Sequence, residues 1–138
     1  MNILLHASNR ASAHHPAAIR FLADRASDPD LFCLAWPTLM SYLRIATHPR
    51  IFSEPLAPAE ALGNIESLLR LARVRPIGEG EGFLDRYQEV TRGPAVRGNL
   101  VPDAHLAALL RQHEVRRLYT TDAGFRRFDF LEVQNPFA

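Results

Sequence analysis

With 138 residues, 47% of them hydrophobic, the chain is long enough to pack a core as one domain and too apolar for intrinsic disorder. Its formal net charge of +1 excludes a nucleic-acid binder that works through a global positive field and leaves only local patches. The single cysteine, Cys33, permits no internal disulfide, no apolar run reaches membrane-spanning length, and Met1 to Ala7 is too short for a secretory leader, so the protein is expected to be soluble and cytoplasmic, with no membrane partner.

All 16 basic residues are arginine. Arginine suits bidentate phosphate contacts, but the codon bias of a GC-rich genome explains the same composition. Met1 to Ala7 is apolar, with Asn2 near its start, and reads either as a short strand or as the first turn of a helix. Ser8 to His15 is a polar loop. Its adjacent His14 and His15 cannot face the same way, which disfavours a metal reading. Pro16 fits a helix start, and Ala18, Ile19, Phe21 and Leu22 recur at helical spacing to about Arg25. Leu31 to Ala35 is a continuous apolar run between turn signals, as expected of a strand buried on both faces.

Pro37 opens a second helix with an apolar stripe of Leu39, Met40, Leu43 and Ala46. The clearest helix runs from Pro58 to Arg73, with Ala61, Leu62, Ile65, Leu68, Leu69 and Ala72 on one face. Val74 to Ile77 is a short strand that Pro76 confines to an edge or an end. Phe83, Leu84, Tyr87 and Val90 form another helix, ended by Gly93-Pro94.

A loop from Gly98 leads into a helix at Asp103, and a strand from Arg117 ends at Asp122. Phe125 to Phe128 is a short helical piece, and Leu131 to Val133 a last strand. Strands near 31–35, 74–77, 117–121 and 131–133, with a fifth at or before Met1, alternate with helices. That order predicts an α/β fold: a three-layer domain over 1–138, with a mostly parallel sheet and helices on both faces.

Asp103 at a helix start and Asp122 at the end of the following strand fall at the same edge of such a sheet, where ligands bind in open α/β folds. Two carboxylates there suit a hard divalent cation, which prefers oxygen ligands. A helix-terminal charge and a turn aspartate account for the same two residues.

Three stretches resemble a known family: Asn2-Ile3-Leu4-Leu5-His6-Ala7, the segment from Trp36 to Phe52, and Gly98 to Ala108 followed by Thr120-Thr121-Asp122. In order and spacing they are similar to the PIN-domain ribonucleases, in particular the VapC toxins of bacterial toxin–antitoxin pairs, over nearly the whole chain. The resemblance implies a metal-dependent endoribonuclease that uses Mg²⁺ or Mn²⁺ on RNA. It implies that Asp103 and Asp122 are metal ligands and catalytic residues, as the family's third and fourth acids. Asn2, Ser41, Asn99 and Thr121 are then polar supports, and Arg44 and Arg97 RNA contacts. A VapB-like antitoxin that blocks the acidic edge and a homodimer are implied as well.

Three departures from the family pattern weaken that site. The family's first acid stands two residues before Asn2, beyond the start of this sequence, together with most of a central strand. Ser41 stands near the family's Glu position and supplies no charge. Gly124 stands where many relatives carry a further Asp. The expectation is weak Mg²⁺ binding and slow RNA cleavage by the chain as numbered. The competing expectation is a degenerate PIN-like module that binds RNA or a partner without cleavage. An α/β-hydrolase reading lacks a nucleophile motif. Arg126 and Arg127 lie near the predicted active edge, whereas His105, two residues after Asp103, points about 200° away on a helix and is expected to pack rather than ligate.

Overall fold

The computed structural model describes residues 2–138, which group as two compact units: residues 2–76 with 136–138, and residues 77–135. The first unit contains α1 (Asn2–Ser8), α2 (His15–Asp24), β1 (Phe32–Ala35), α3 (Trp36–Ala46) and α4 (Pro58–Leu69); β2 (Val74–Ile77) closes it. A proline stands in the first turn of α2, α3 and α4, where the missing N–H costs nothing and the fixed φ already suits the helix.

The core of this unit gathers Leu4 of α1, Leu34 of β1, Leu39, Tyr42 and Ala46 of α3, Ala61 and Ile65 of α4, and Val74 of β2. Ala46 and Ala61 are fully buried, and residues this small let helix backbones approach closely. Tyr42 is 1% exposed, so its hydroxyl needs partners. It finds them in Ser8 Oγ at 2.6 Å and in Asn64 Nδ2, which donates to it at 3.0 Å. These bonds tie α1, α3 and α4 together.

Met1 to Ala7 was open between strand and helix. The structure makes Asn2–Ser8 helical. Leucine and alanine are good helix formers, Ile3 is the only β-branched residue there, and Ile3 and Leu4 both bury.

The second unit holds α5 (Phe83–Val90), a 3-10 turn (Gly98–Leu100), α6 (Val101–Gln112), β3 (Arg117–Tyr119), a second 3-10 turn (Ala123–Arg127) and β4 (Glu132–Gln134). α6 buries Ala104, Ala107, Ala108, Leu109 and Leu110, a wider span than one stripe, and it packs against α5. β3 and β4 are parallel, with Leu118 opposite Val133. Parallel neighbours need a crossover of about a dozen residues, which the segment holding the second 3-10 turn supplies. Two further bonds extend the ladder, from Thr120 N to Gln134 O at 3.0 Å and from Glu132 N to Arg116 O at 2.6 Å.

The four strands expected between residues 31 and 133 are present within one residue or two of their expected bounds, and the fifth, at or before Met1, lies outside the described residues. Among the described residues they pair in twos, β1 with β2 and β3 with β4, each pair a separate two-stranded sheet.

Candidate metal centre

Both aspartates belong to the second unit. α6 starts at Val101, two residues before Asp103, because Pro102 pre-sets the helical φ at its first turn. Asp103 is therefore a first-turn residue. The N-cap is Leu100, and no side chain caps the helix. Capping thus does not account for Asp103, which is half-buried.

Carboxylates in a first helical turn are ordinarily stabilised by the helix dipole, which lowers their pKa. The Asp103 carboxyl is instead pushed up, first by burial and then by the negative charge of Asp122, with the Arg127 guanidinium pulling it partly back. Asp122 is thus near enough for its charge to act on Asp103, and Arg127 shares that neighbourhood.

β3 ends at Tyr119, so Asp122 stands beyond the strand rather than at its last position. Asp122 instead caps the second 3-10 turn, its Oδ1 accepting from Gly124 N at 2.8 Å. Its own N–H donates to Thr120 Oγ1 at 3.1 Å. Gly124 leaves room for this bond, since a Cβ there would stand 3.0 Å from Asp122 Oδ1. The guanidinium of Arg127 turns back on the same glycine, Nε donating to Gly124 O at 3.1 Å.

Among the described residues, no group of three or more His, Cys, Asp or Glu side chains is arranged to hold a metal ion. The donor set of this centre is two carboxylates. A cation would offset the charge of Asp122 that raises the Asp103 pKa, and carboxylate oxygens match Mg²⁺ or Mn²⁺. In donor chemistry Asp103 and Asp122 match such an ion, and they are the residues of the second unit that would hold it.

The other expected site residues divide between the units. Asn99 is exposed in the first 3-10 turn and Arg97 is exposed just before it, while Thr121 is half-buried between β3 and Asp122; all three belong to the second unit. Asn2 lies at the start of α1, and Ser41 and Arg44 lie on α3, in the first unit. Ser41 is half-buried and Arg44 exposed. His105 does not join the aspartates. Its Nε2 pairs with Glu79 Oε1, and its ring meets Phe83 edge-on at 5.5 Å. Sequence reasoning singled out Arg126 and Arg127 together. The structure separates them, because only Arg127 bonds to Gly124 and acts on Asp103.

The Ribonuclease VapC48 of Mycobacterium tuberculosis is 40% identical to this chain over 138 residues, which span 100% of the chain and 95% of the relative. The chain belongs to the VapC ribonuclease family. Ribonuclease VapC37 of the same organism is 30% identical over 135 residues, 98% of this chain and 93% of its own length. No family model matches the chain. Among solved structures, VapBC2 from Rickettsia felis, bound to a DNA fragment from its promoter, matches with a TM-score of 0.66 at 17% identity. That match covers 97% of this chain and 93% of the Rickettsia chain. It supports the α/β PIN-type fold expected of a VapC protein. Asp103 and Asp122 are thus a paired-carboxylate feature of a VapC-family chain.

Proposed function

We propose that this protein is a metal-dependent endoribonuclease, the toxin of a type II toxin–antitoxin pair, with Asp103 and Asp122 holding Mg²⁺ or Mn²⁺. The observation that carries the reading is the 40% identity to Ribonuclease VapC48 over the whole chain, supported by two carboxylates of the second unit, Asp103 in the first turn of α6 and Asp122 in the turn after β3. A bound cation would lower the pKa of a water ligand and offset charge on the scissile phosphate.

Asp103 brings a partly desolvated carboxylate on a rigid helix. Asp122 has Oδ1 committed to Gly124 and keeps Oδ2 for the ion or for the attacking water. Hydrolysis joins the water oxygen to phosphorus and breaks one P–O ester bond, and the leaving ribose oxygen ends as a hydroxyl. Asp122 Oδ2 is the group suited to orient the water and take its proton. Asn99 and Thr121 are the second-unit residues suited to hold waters around the ion. Arg97 and, from the first unit, Arg44 are exposed cations suited to RNA phosphates.

A VapB-like antitoxin is the expected protein partner. It would block the acidic edge that carries Asp103 and Asp122, as the family resemblance implies. Trp36 and Met40, 42% and 50% exposed on α3, are candidates for a homodimer contact.

A second reading is favoured by the donor count. Two carboxylates orient a divalent ion poorly, which suits a PIN-like module that binds RNA without cutting it. Calorimetric titration of the protein with Mn²⁺ separates the two readings. Saturable binding that Asp122→Asn removes supports the nuclease. No binding heat in either protein, with RNA still bound, supports the module.

A further inference from the structure

The turn after Asp122 carries more than a carboxylate. Asp122 Oδ1 accepts from Gly124 N at 2.8 Å, and Arg127 Nε donates to Gly124 O at 3.1 Å. One glycine thus fixes an anion on its N–H and a cation on its C=O. The turn is itself anchored. Phe125 and Phe128 on either side of the arginines are 7% and 5% exposed, and Phe128 N donates to Phe125 O at 3.1 Å. A guanidinium tied at Nε to such a turn is held far more tightly than a free surface arginine.

Among the described residues its Nη groups have no hydrogen-bond or ion-pair partner. Arg25, Arg70, Arg86, Arg111 and Arg117 each have a carboxylate within 4.0 Å. Among the described residues Arg127 has none, although it shares Gly124 with Asp122 and its charge acts on Asp103. A cation held beside two carboxylates without closing on either keeps both of its Nη groups for a planar, two-oxygen anion. Phosphodiester oxygens offer that geometry, and arginine matches it bidentately.

We propose that Arg127 is the phosphate-gripping residue of this site. Its Nη groups hold the non-bridging oxygens of the RNA phosphate under attack, while Asp103 and Asp122 take the metal. The proposal rests on the ribonuclease reading above. Arg127 would act where charge builds up on phosphorus, and a fixed donor there favours the transition state over the bound substrate. It also adds positive charge to a centre with only two anionic ligands, on the side of the substrate rather than of the ion. Arg126, on the same turn and equally exposed, makes no bond to Gly124 and serves as the comparison.

The test compares wild type, Arg127→Ala, Arg127→Lys, Arg126→Ala and Asp103→Asn on one single-stranded RNA. Cleavage is followed with Mn²⁺ present, and binding across a salt series is followed with chelator. Arg127→Ala is expected to lower kcat on the order of a hundredfold, with a smaller change in KM. It should also reduce the slope of log K against log salt by about 0.7, the share of one phosphate contact on a single strand. Arg127→Lys should recover part of kcat, and Arg126→Ala should stay within about twofold of wild type. Melting curves of Arg127→Ala that overlay wild type would separate the loss from misfolding. The role of Arg127 is overturned if Asp103→Asn abolishes cleavage while Arg127→Ala and Arg126→Ala behave alike. If Asp103→Asn cleaves normally, the metal reading fails and takes this role with it.

Discussion

Alanine at Gly124 would set a Cβ 3.0 Å from Asp122 Oδ1, inside the roughly 3.5 Å at which such atoms rest. The backbone does not resist the change, because Gly124 is not among the glycines with positive φ. The carboxylate therefore yields, by about half an ångström. That stretches its 2.8 Å bond to Gly124 N to roughly 3.3 Å, past the useful range for N–H···O. Weakening a cap of this kind costs about 1 kcal/mol, or a Tm drop of roughly 3–4 °C for a chain of this size. Moving a metal-binding oxygen by half an ångström should cost on the order of tenfold in RNA cleavage. Gly63 supplies the control. It lies inside α4 with nothing within 4 Å of an added Cβ, so Gly63→Ala should gain about 0.5–1 kcal/mol and leave cleavage unchanged. Thermal melts and single-turnover cleavage of both variants decide the matter. A Gly124→Ala protein that melts and cleaves like wild type would refute the placement of Asp122.

Two further predictions concern the first unit. Tyr42→Phe removes the hydroxyl between Ser8 and Asn64, and because both partners retain some access to water the loss should be about 1–2 kcal/mol in denaturant titration; a loss below a few tenths would mean that the three-helix tie is absent in solution. Burial, and after it the charge of neighbouring His14, holds His6 below its ordinary value of 6.5. The unfolded chain then takes up the proton first, so stability present above that value falls as the pH drops through the window between it and the folded pKa. His14 and His15 face His6 as further titratable groups, and Ser12 bonds its Nδ1 at 2.6 Å. Tm should therefore fall more steeply for wild type than for His6→Gln between about pH 7 and about pH 5; parallel curves would remove His6 as the source.

The elements were legible where local signals agreed. Pro58 followed by apolar residues at helical spacing marked the start of α4, which ends at Leu69, four residues before the expected Arg73, and the Leu31–Ala35 run between turns marked β1. The start of α6 shifted by two residues because Pro102 outweighed Asp103 as a start signal, and that shift removes capping as the reason for the aspartate. The division into two strand pairs was not legible, since pairing joins residues far apart in sequence and the strands are only three or four residues long. The carboxylate pair was visible as a pattern, whereas the half-burial of Asp103 and the cap that Asp122 makes on Gly124 depend on the folded turns. The bond of Asp122 to Gly124 N had a faint sequence signal, an aspartate two residues before a glycine, which favours a side chain bonded to the backbone two residues on. Nothing in the sequence distinguished Arg127 from Arg126, because only the folded turn gives one of them a carbonyl to bond.

Asp103→Asn keeps the size and shape of the side chain and removes the charge that a metal needs. The measurement is the rate of RNA cleavage by the full chain with Mn²⁺, wild type against Asp103→Asn, both confirmed folded by their melting curves. Loss of a hundredfold or more, on the order expected when a metal ligand is removed, is the predicted result. Cleavage by Asp103→Asn at the wild-type rate would contradict the paired-carboxylate centre.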